Sequence, residues 1–133
     1  MKTITDGDYY ELYEKGKVRD IGPIFRIKEL DENCHGLPRR LVVIGGFSGS
    51  FKTTLALNVV YNNAVYQGWN CCFLSLEMET DEIQLRFLVL HAQHPKFSEF
   101  NVVITLEKVF KHMLTQEETD FLFHTVAPDF KKP

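Results

Sequence analysis

The chain has 133 residues, 44% of them hydrophobic and 25% charged, with a formal net charge of -3. This composition suits one modest folded domain and excludes disorder, fibrous repeats and a protein that grips nucleic acid through a basic surface of its own. There is no signal peptide, no apolar run of membrane-spanning length, and the three cysteines have neither metal-ligand nor disulfide-framework spacing. We therefore expect a soluble, cytoplasmic protein with no membrane contact.

Residues 1–38 are expected to form a lead-in segment and linker. They contain an acidic, aromatic stretch, then Gly22-Pro23 and a turn around residues 36–38. The core is expected to occupy residues 39–133.

Residues 46–53, with the sequence GFSGSFKT, have the pattern of a phosphate-binding P-loop. The apolar run of residues 41–44 before them predicts a buried strand, and the following residues predict a helix from Lys52 to Gln67 that stops at Gly68. In this order of strand, loop and helix, backbone N–H groups and the helix dipole favour an anion. The predicted nucleotide-binding residues are Gly46, Ser48, Gly49, Ser50, Phe51, Lys52, Thr53 and Thr54.

Phe51 stands where the last glycine of a P-loop is expected. Glycine there lets the backbone approach the phosphates without a Cβ in the way. The phenylalanine must either turn its ring out, to solvent or a neighbouring subunit, or displace the loop. A degenerate loop that no longer binds ATP is the alternative interpretation.

Residues 71–76 predict a second short strand, and Thr80 opens a helix that ends before Pro95. Residues 101–105 are compatible with a strand or, together with residues 106–113, with a helix. Thr115 begins a capping-box pattern, TQEE, and a helix of about ten residues that Pro128 should end.

Alternation of strands and helices predicts an α/β fold with a parallel sheet and right-handed crossovers, in which ligands sit at the carboxyl ends of the strands. The P-loop follows the first predicted strand, and Glu77 ends the second. A carboxylate at this position can activate water for attack on a γ-phosphate. An exposed glutamate without a role is the ordinary alternative.

Several blocks together resemble the ATPase domain of bacterial DnaB-like replicative helicases, which belong to the RecA-like P-loop proteins. The blocks span roughly residues 24–90, and SLEM is the most specific of them. They are Glu29-Leu30-Asp31, Gly36-Leu37, LVVIGG, KTTLALN, Gly68, FLSLEM and Arg86.

The resemblance implies a RecA-like core that uses ATP and Mg²⁺. It places Lys52 on the β- and γ-phosphates, Thr53 on Mg²⁺, and Glu77 on the attacking water, so that Lys52 and Glu77 are the implied catalytic residues. It also implies a homo-oligomer, a hexameric ring when complete, that grips single-stranded DNA and works in DNA replication. Arg86 fits the pattern without a firm role.

The chain departs from that family pattern at Phe51, in lacking the amino-terminal helical domain, and in ending at Pro133 before the second Mg²⁺-site strand. The resemblance therefore predicts the first half of a RecA-like core. The full-length protein is expected to be an ATP-hydrolysing helicase, and this chain alone is expected to be inactive.

Two rival functions remain open. One is another RecA-like ATPase, either a recombinase or a clock-type regulatory ATPase. The other is a non-catalytic nucleotide-binding or assembly module with a degenerate P-loop. Among the weaker signals, His91 and His94 are interpreted as exposed polar residues at a helix end, and Asp129 as a solvated charge.

Overall fold

A computed structural model describes residues 10, 13, 14, 22–34, 36–37 and 41–131. The chain divides into two compact units, residues 1–46 and 47–133.

In the first unit, helix α1 covers Lys28–Cys34. The Asp31 carboxylate accepts a hydrogen bond from the backbone N–H of Phe25 (2.8 Å), which fixes the approach to the helix. The backbone closes around α1 where the N–H of Leu37 donates to the carbonyl of Pro23 (2.6 Å). A Cβ on Gly22 would lie 2.0 Å from the Leu37 carbonyl oxygen, so this closure requires glycine.

The second unit begins with the loop that leads into helix α2, Lys52–Gln67. Gly68 ends α2 in the left-handed conformation (φ 66°), and its N–H donates to the carbonyl of Asn63. The predicted helix boundaries are confirmed here. The predicted helix at Thr80 is also confirmed, as α3, Thr80–Ala92.

Shorter helices complete this unit. A 3-10 helix, Pro95–Phe100, follows α3, and helix α4 covers Leu106–Phe110. A continuous helical stretch then consists of α5 (Gln116–Asp120), a π-helical segment (Phe121–Val126) and α6 (Ala127–Phe130). Both halves of the predicted capping box are present, because Thr115 accepts from the Glu118 N–H and Glu118 accepts from the Thr115 N–H.

The prediction that Pro128 ends this last helix is wrong. Proline has no N–H to donate to the carbonyl four residues earlier, and its ring crowds that carbonyl. The helix widens just before it instead, and the N–H of Ala127 donates to the carbonyl of Leu122, five residues back. The widened segment lets the helix continue through Pro128 to Phe130.

The hydrophobic core of the second unit lies among α3 and the helices after it. Leu122 and Val126 of the π-helical segment are completely buried. The Phe97 and Phe121 rings meet edge to face, with centroids 5.9 Å apart. The other buried core members are Leu88, Val89, Ala92, Ile104 and Val109.

The predicted α/β fold with a parallel sheet is wrong for the described part of the chain, which is helical and contains no β-strand. Residues 41–44 and 71–75 have no regular secondary structure, and residues 76–78 form a bend. An apolar run becomes a strand only when its backbone N–H and C=O groups pair with a neighbouring strand.

Without such pairing, both runs stay at the surface. Leu41 is 91% exposed and Leu76 is 100% exposed. Cys71 and Cys72 of the second run are also exposed. No helix in the described part is long and apolar enough to cross a bilayer.

Candidate phosphate-binding site

The candidate site is the loop of residues 46–51 with the first turn of α2. The structure leaves this loop exposed. Gly49 has a positive φ of 76°, and a Cβ built on it would meet nothing within 4 Å. Glycine is therefore needed here for the backbone conformation and not for space.

The carbonyl oxygen of Phe47 is the acceptor around which the loop closes. It accepts hydrogen bonds from the N–H of Ser50 (3.2 Å), the Ser50 hydroxyl (2.6 Å) and the Lys52 ammonium (2.6 Å). The Lys52 ammonium also lies 3.5 Å from the Ser50 hydroxyl. The side chain of Lys52 is thus turned back onto the loop that precedes it.

Helix α2 begins immediately after this loop, so the N–H groups of its first turn lack acceptors within the helix. Lys52 and Thr53 are the first two residues of α2. The positive end of the helix dipole and the Lys52 ammonium therefore come together at one end of α2. This is an arrangement that can hold a multiply charged anion.

Phe51 precedes α2 in the left-handed conformation, with φ 58° and ψ 21°. Its side chain is 78% exposed, so the ring turns outward, as one of the two predicted alternatives required. A bulky residue in this region costs roughly 1–2 kcal/mol relative to glycine, because its Cβ crowds the following carbonyl. The loop keeps the backbone shape of a glycine at the expense of local strain.

Glu77 lies in a separate turn that leads into α3. The Ser75 hydroxyl closes this turn by donating to the carbonyl of Met78 and accepting from its N–H, both at 2.9 Å. Glu77 itself is exposed. Within the described residues, no hydrogen bond or ion pair joins its carboxylate to the loop.

Helices α2 and α3 run in the same direction. Thr54 and Asn58 of α2 line one small cleft with Arg86 and Leu90 of α3, and farther along both helices the Tyr61 hydroxyl contacts His91. The amino-terminal ends of both helices therefore lie at the same end of the pair. One of these ends follows the loop of residues 46–51, and the other follows the Glu77 turn.

Arg86 points along its own helix. Its guanidinium pairs with Glu82 (2.7 Å) and lies over the ring of Phe110, 5.3 Å from the centroid. The contact with Phe110 attaches α3 to α4, whereas the pair with Glu82 lies within α3. No group of three His, Cys, Asp or Glu side chains able to hold a metal ion occurs in the described part of the chain.

Sequence reasoning missed a buried polar group that lies away from the loop. His91, expected at the surface, is only 4% exposed. Its Nδ1 atom lies 2.8 Å from the Tyr61 hydroxyl and its Nε2 atom 2.8 Å from the Asp129 carboxylate. The ammonium of Lys96 also donates to Asp129. We call Tyr61, His91 and Asp129 the Tyr–His–Asp network.

The hydrogen bonds from Lys96 and then from His91 lower the pKa of Asp129 to about 2. Asp129 is therefore an ion-paired carboxylate, and the prediction of a solvated charge is wrong. A signal for the burial of His91 was available, because it stands three residues after the buried Leu88 on the same helix. Nothing in the sequence pointed from His91 to Asp129, which is 38 residues away.

Residues 25–124 match the family model of the DnaB-like helicase C-terminal domain. This match covers most of the chain, and the chain therefore belongs to the DnaB-like helicase C-terminal domain family. The resemblance inferred from the sequence is confirmed. Comparison with curated proteins and with solved structures finds no match.

Proposed function

We propose that residues 46–54 bind ATP together with Mg²⁺, and that the chain is the ATP-binding portion of a helicase that acts in DNA replication. The observation that carries this proposal is the position of the Lys52 ammonium, turned onto the loop at the amino-terminal end of α2. Membership of the DnaB-like family supports it.

Each residue type has a part in holding the nucleotide. Lys52 exchanges its contact with the Phe47 carbonyl for the β- and γ-phosphates, where an ammonium gains a charge-assisted hydrogen bond. The Thr53 hydroxyl, one residue farther into α2, would hold Mg²⁺. When bound, the metal ion neutralises charge on the phosphate oxygens.

Glu77 is proposed to orient or activate the water that attacks the γ-phosphate. Its exposed position in a turn at the start of α3 supports this role, because the P-loop occupies the corresponding end of the parallel helix α2. Hydrolysis would then draw on loops at the ends of two neighbouring helices.

Family membership also supports a ring-shaped homo-oligomer, in which subunits enclose single-stranded DNA. The net charge of -3 fits a protein whose grip on DNA depends on assembled loops rather than on one basic surface.

Calorimetric titration with Mg²⁺ and a non-hydrolysable ATP analogue tests nucleotide binding by this chain. Lys52→Met keeps most of the aliphatic length, removes the ammonium and should weaken binding about tenfold or more, the cost of one charge-assisted hydrogen bond. Lys111→Met is the matched control, because Lys111 pairs only with the exposed Glu107 among its described contacts.

Binding that is equal in Lys52→Met and the wild type would contradict the assignment of Lys52. Absence of binding by the wild type would favour the non-catalytic assembly module instead.

A further inference from the structure

The Tyr–His–Asp network joins three helices of the second unit. Tyr61 belongs to α2, His91 to α3 and Asp129 to α6. Helix α2 starts at the P-loop, whereas α6 lies beyond residues 25–124, which match the family. The network therefore connects the helix of the candidate nucleotide site with a helix outside the matched residues.

Two members of the network, Tyr61 and His91, are buried, and Asp129 is partly exposed. Tyr61 is 6% exposed and His91 is 4% exposed, so each polar atom depends on a protein partner. Such burial also argues against catalysis of hydrolysis by the Tyr–His–Asp network, because a substrate has no access to the Tyr61 hydroxyl.

In neutral His91, the nitrogen that donates a hydrogen bond determines that the other nitrogen accepts one. A carboxylate only accepts hydrogen bonds, so Asp129 requires the proton of neutral His91 on Nε2. Nδ1 is then the acceptor for the Tyr61 hydroxyl. Removing Asp129 frees the imidazole to change tautomer or turn, which weakens the bond to Tyr61. A change at Asp129 in α6 thus weakens a hydrogen bond made by Tyr61 in α2.

The position of the network strengthens this argument. Tyr61 and His91 join the carboxyl-terminal halves of α2 and α3, whose amino-terminal ends carry the P-loop and the Glu77 turn. A shift of α2 against α3 at this point displaces the loop relative to that turn, because a helix moves largely as a rigid body.

We propose that Tyr61, His91 and Asp129 are positioning residues that couple the docking of α6 to the placement of α2 and its P-loop. The effect on nucleotide rests on the proposed function. The coupling between the helices does not.

Hydrogen exchange of the backbone amides, measured on the whole chain, tests the coupling without a ligand. Asp129→Ala should accelerate exchange in α6 and also in residues 52–61 of α2, by about fivefold or more, the lower end of typical coupling between sites. Asp120→Ala is the matched control. Asp120 pairs with His124 at 3.3 Å in an exposed contact, and its loss should leave α2 unchanged.

A double-mutant cycle sharpens this test. Tyr61→Phe removes only the hydroxyl and should accelerate exchange in α2. Once it is present, Asp129→Ala should add little to the exchange of α2, because the connection is already broken. Additive effects on α2, acceleration confined to α6, or equal acceleration throughout the chain including α4 would each overturn the proposal. If Asp129→Ala does not fold, Tyr61→Phe alone still tests the coupling through exchange in α6, which should accelerate because coupling between two sites is reciprocal. Unchanged exchange in α6 would then overturn the proposal.

Titration of the same variants with Mg²⁺ and a non-hydrolysable ATP analogue tests the functional consequence. Asp129→Ala and Tyr61→Phe should bind about fivefold or more weakly than the wild type, and Asp120→Ala should bind equally. If exchange is coupled but the wild type binds no nucleotide, the proposed function fails and the coupling stands. If the wild type binds and the variants bind equally well, the positioning role fails and nucleotide binding stands.

Discussion

The loop of residues 46–51 and the helical core of the second unit differ in how well the sequence predicts them. The loop is exposed, strained at Phe51 and legible as a motif. The core around the completely buried Leu122 depends on contacts between residues that are distant in the sequence. A phosphate-binding site needs a particular backbone conformation over a few consecutive residues, and a sequence motif can indicate it. A core needs complementary surfaces from residues far apart in the sequence, and no motif indicates those.

The largest expected effect tests the core against the exposed apolar residues. Leu122→Ala leaves a cavity at a fully buried position and should lower the free energy of unfolding by about 2–5 kcal/mol. Leu74→Ala is the control, since Leu74 is 85% exposed and its change should fall within about 0.5 kcal/mol. Urea unfolding followed by circular dichroism measures both. Similar losses in the two variants would mean that the run of residues 71–76 is buried in solution.

The second effect concerns the Glu77 turn. In a form of the protein that hydrolyses ATP, Glu77→Gln should leave ATP affinity unchanged and reduce the turnover number by roughly 10²-fold. The amide keeps the size of the side chain but cannot act as a base. Steady-state hydrolysis at saturating ATP and single-stranded DNA measures this. Glu79→Gln, at the neighbouring exposed glutamate that precedes α3, is the matched control. An unchanged turnover number in Glu77→Gln would leave residues 75–78 as an ordinary turn.

Helices were predictable where their ends carry local signals. Gly68 and the capping box at Thr115 act within a few residues, and the structure has both. Strands were not, because the run of residues 41–44 has the right side chains but no pairing partner among the described residues. Part of the candidate site, residues 46–53, was predictable for the same reason, because these residues are consecutive in the sequence. The pairing of His91 with Asp129 could not be predicted, because the two residues are 38 positions apart and only the fold brings them together.

A smaller effect is expected from acid at the Tyr–His–Asp network. Lys96 of the 3-10 helix and His91 of α3 face Asp129 and lower its pKa from an ordinary 3.8 to about 2. A carboxylate whose pKa is depressed by folding stabilises the protein above its unfolded pKa, and this contribution is lost as the pH falls towards the folded value. The wild type should therefore lose its advantage over Asp129→Asn between about pH 4 and pH 2.

Urea unfolding of both proteins at intervals from pH 2 to pH 6 measures that difference. Asp120→Asn should show a smaller change throughout, because its pair with His124 is exposed. A constant difference between wild type and Asp129→Asn over this range would mean that the charge of Asp129 does not stabilise the network.

The smallest expected effect is at Phe51, where the loop keeps a backbone suited to glycine. Phe51→Gly removes a left-handed strain of roughly 1–2 kcal/mol but adds about 0.5–1 kcal/mol of chain entropy to the unfolded state, so a net gain of about 0–1.5 kcal/mol is expected. Phe47→Gly is the matched control. Phe47 is also an exposed ring on the same loop, but it lacks a positive φ, so glycine there should only destabilise.

Nucleotide affinity separates an outward ring from a blocked loop. The Phe51 ring is already turned out to solvent, so its removal frees no space where a phosphate would bind. Phe51→Gly should therefore change the affinity for an ATP analogue by less than about threefold. Thermal unfolding and calorimetric titration of the same samples give both quantities. A large gain in affinity would show that the ring obstructs the loop in solution, whereas a loss of stability would show that Phe51 contributes contacts that outweigh its strain.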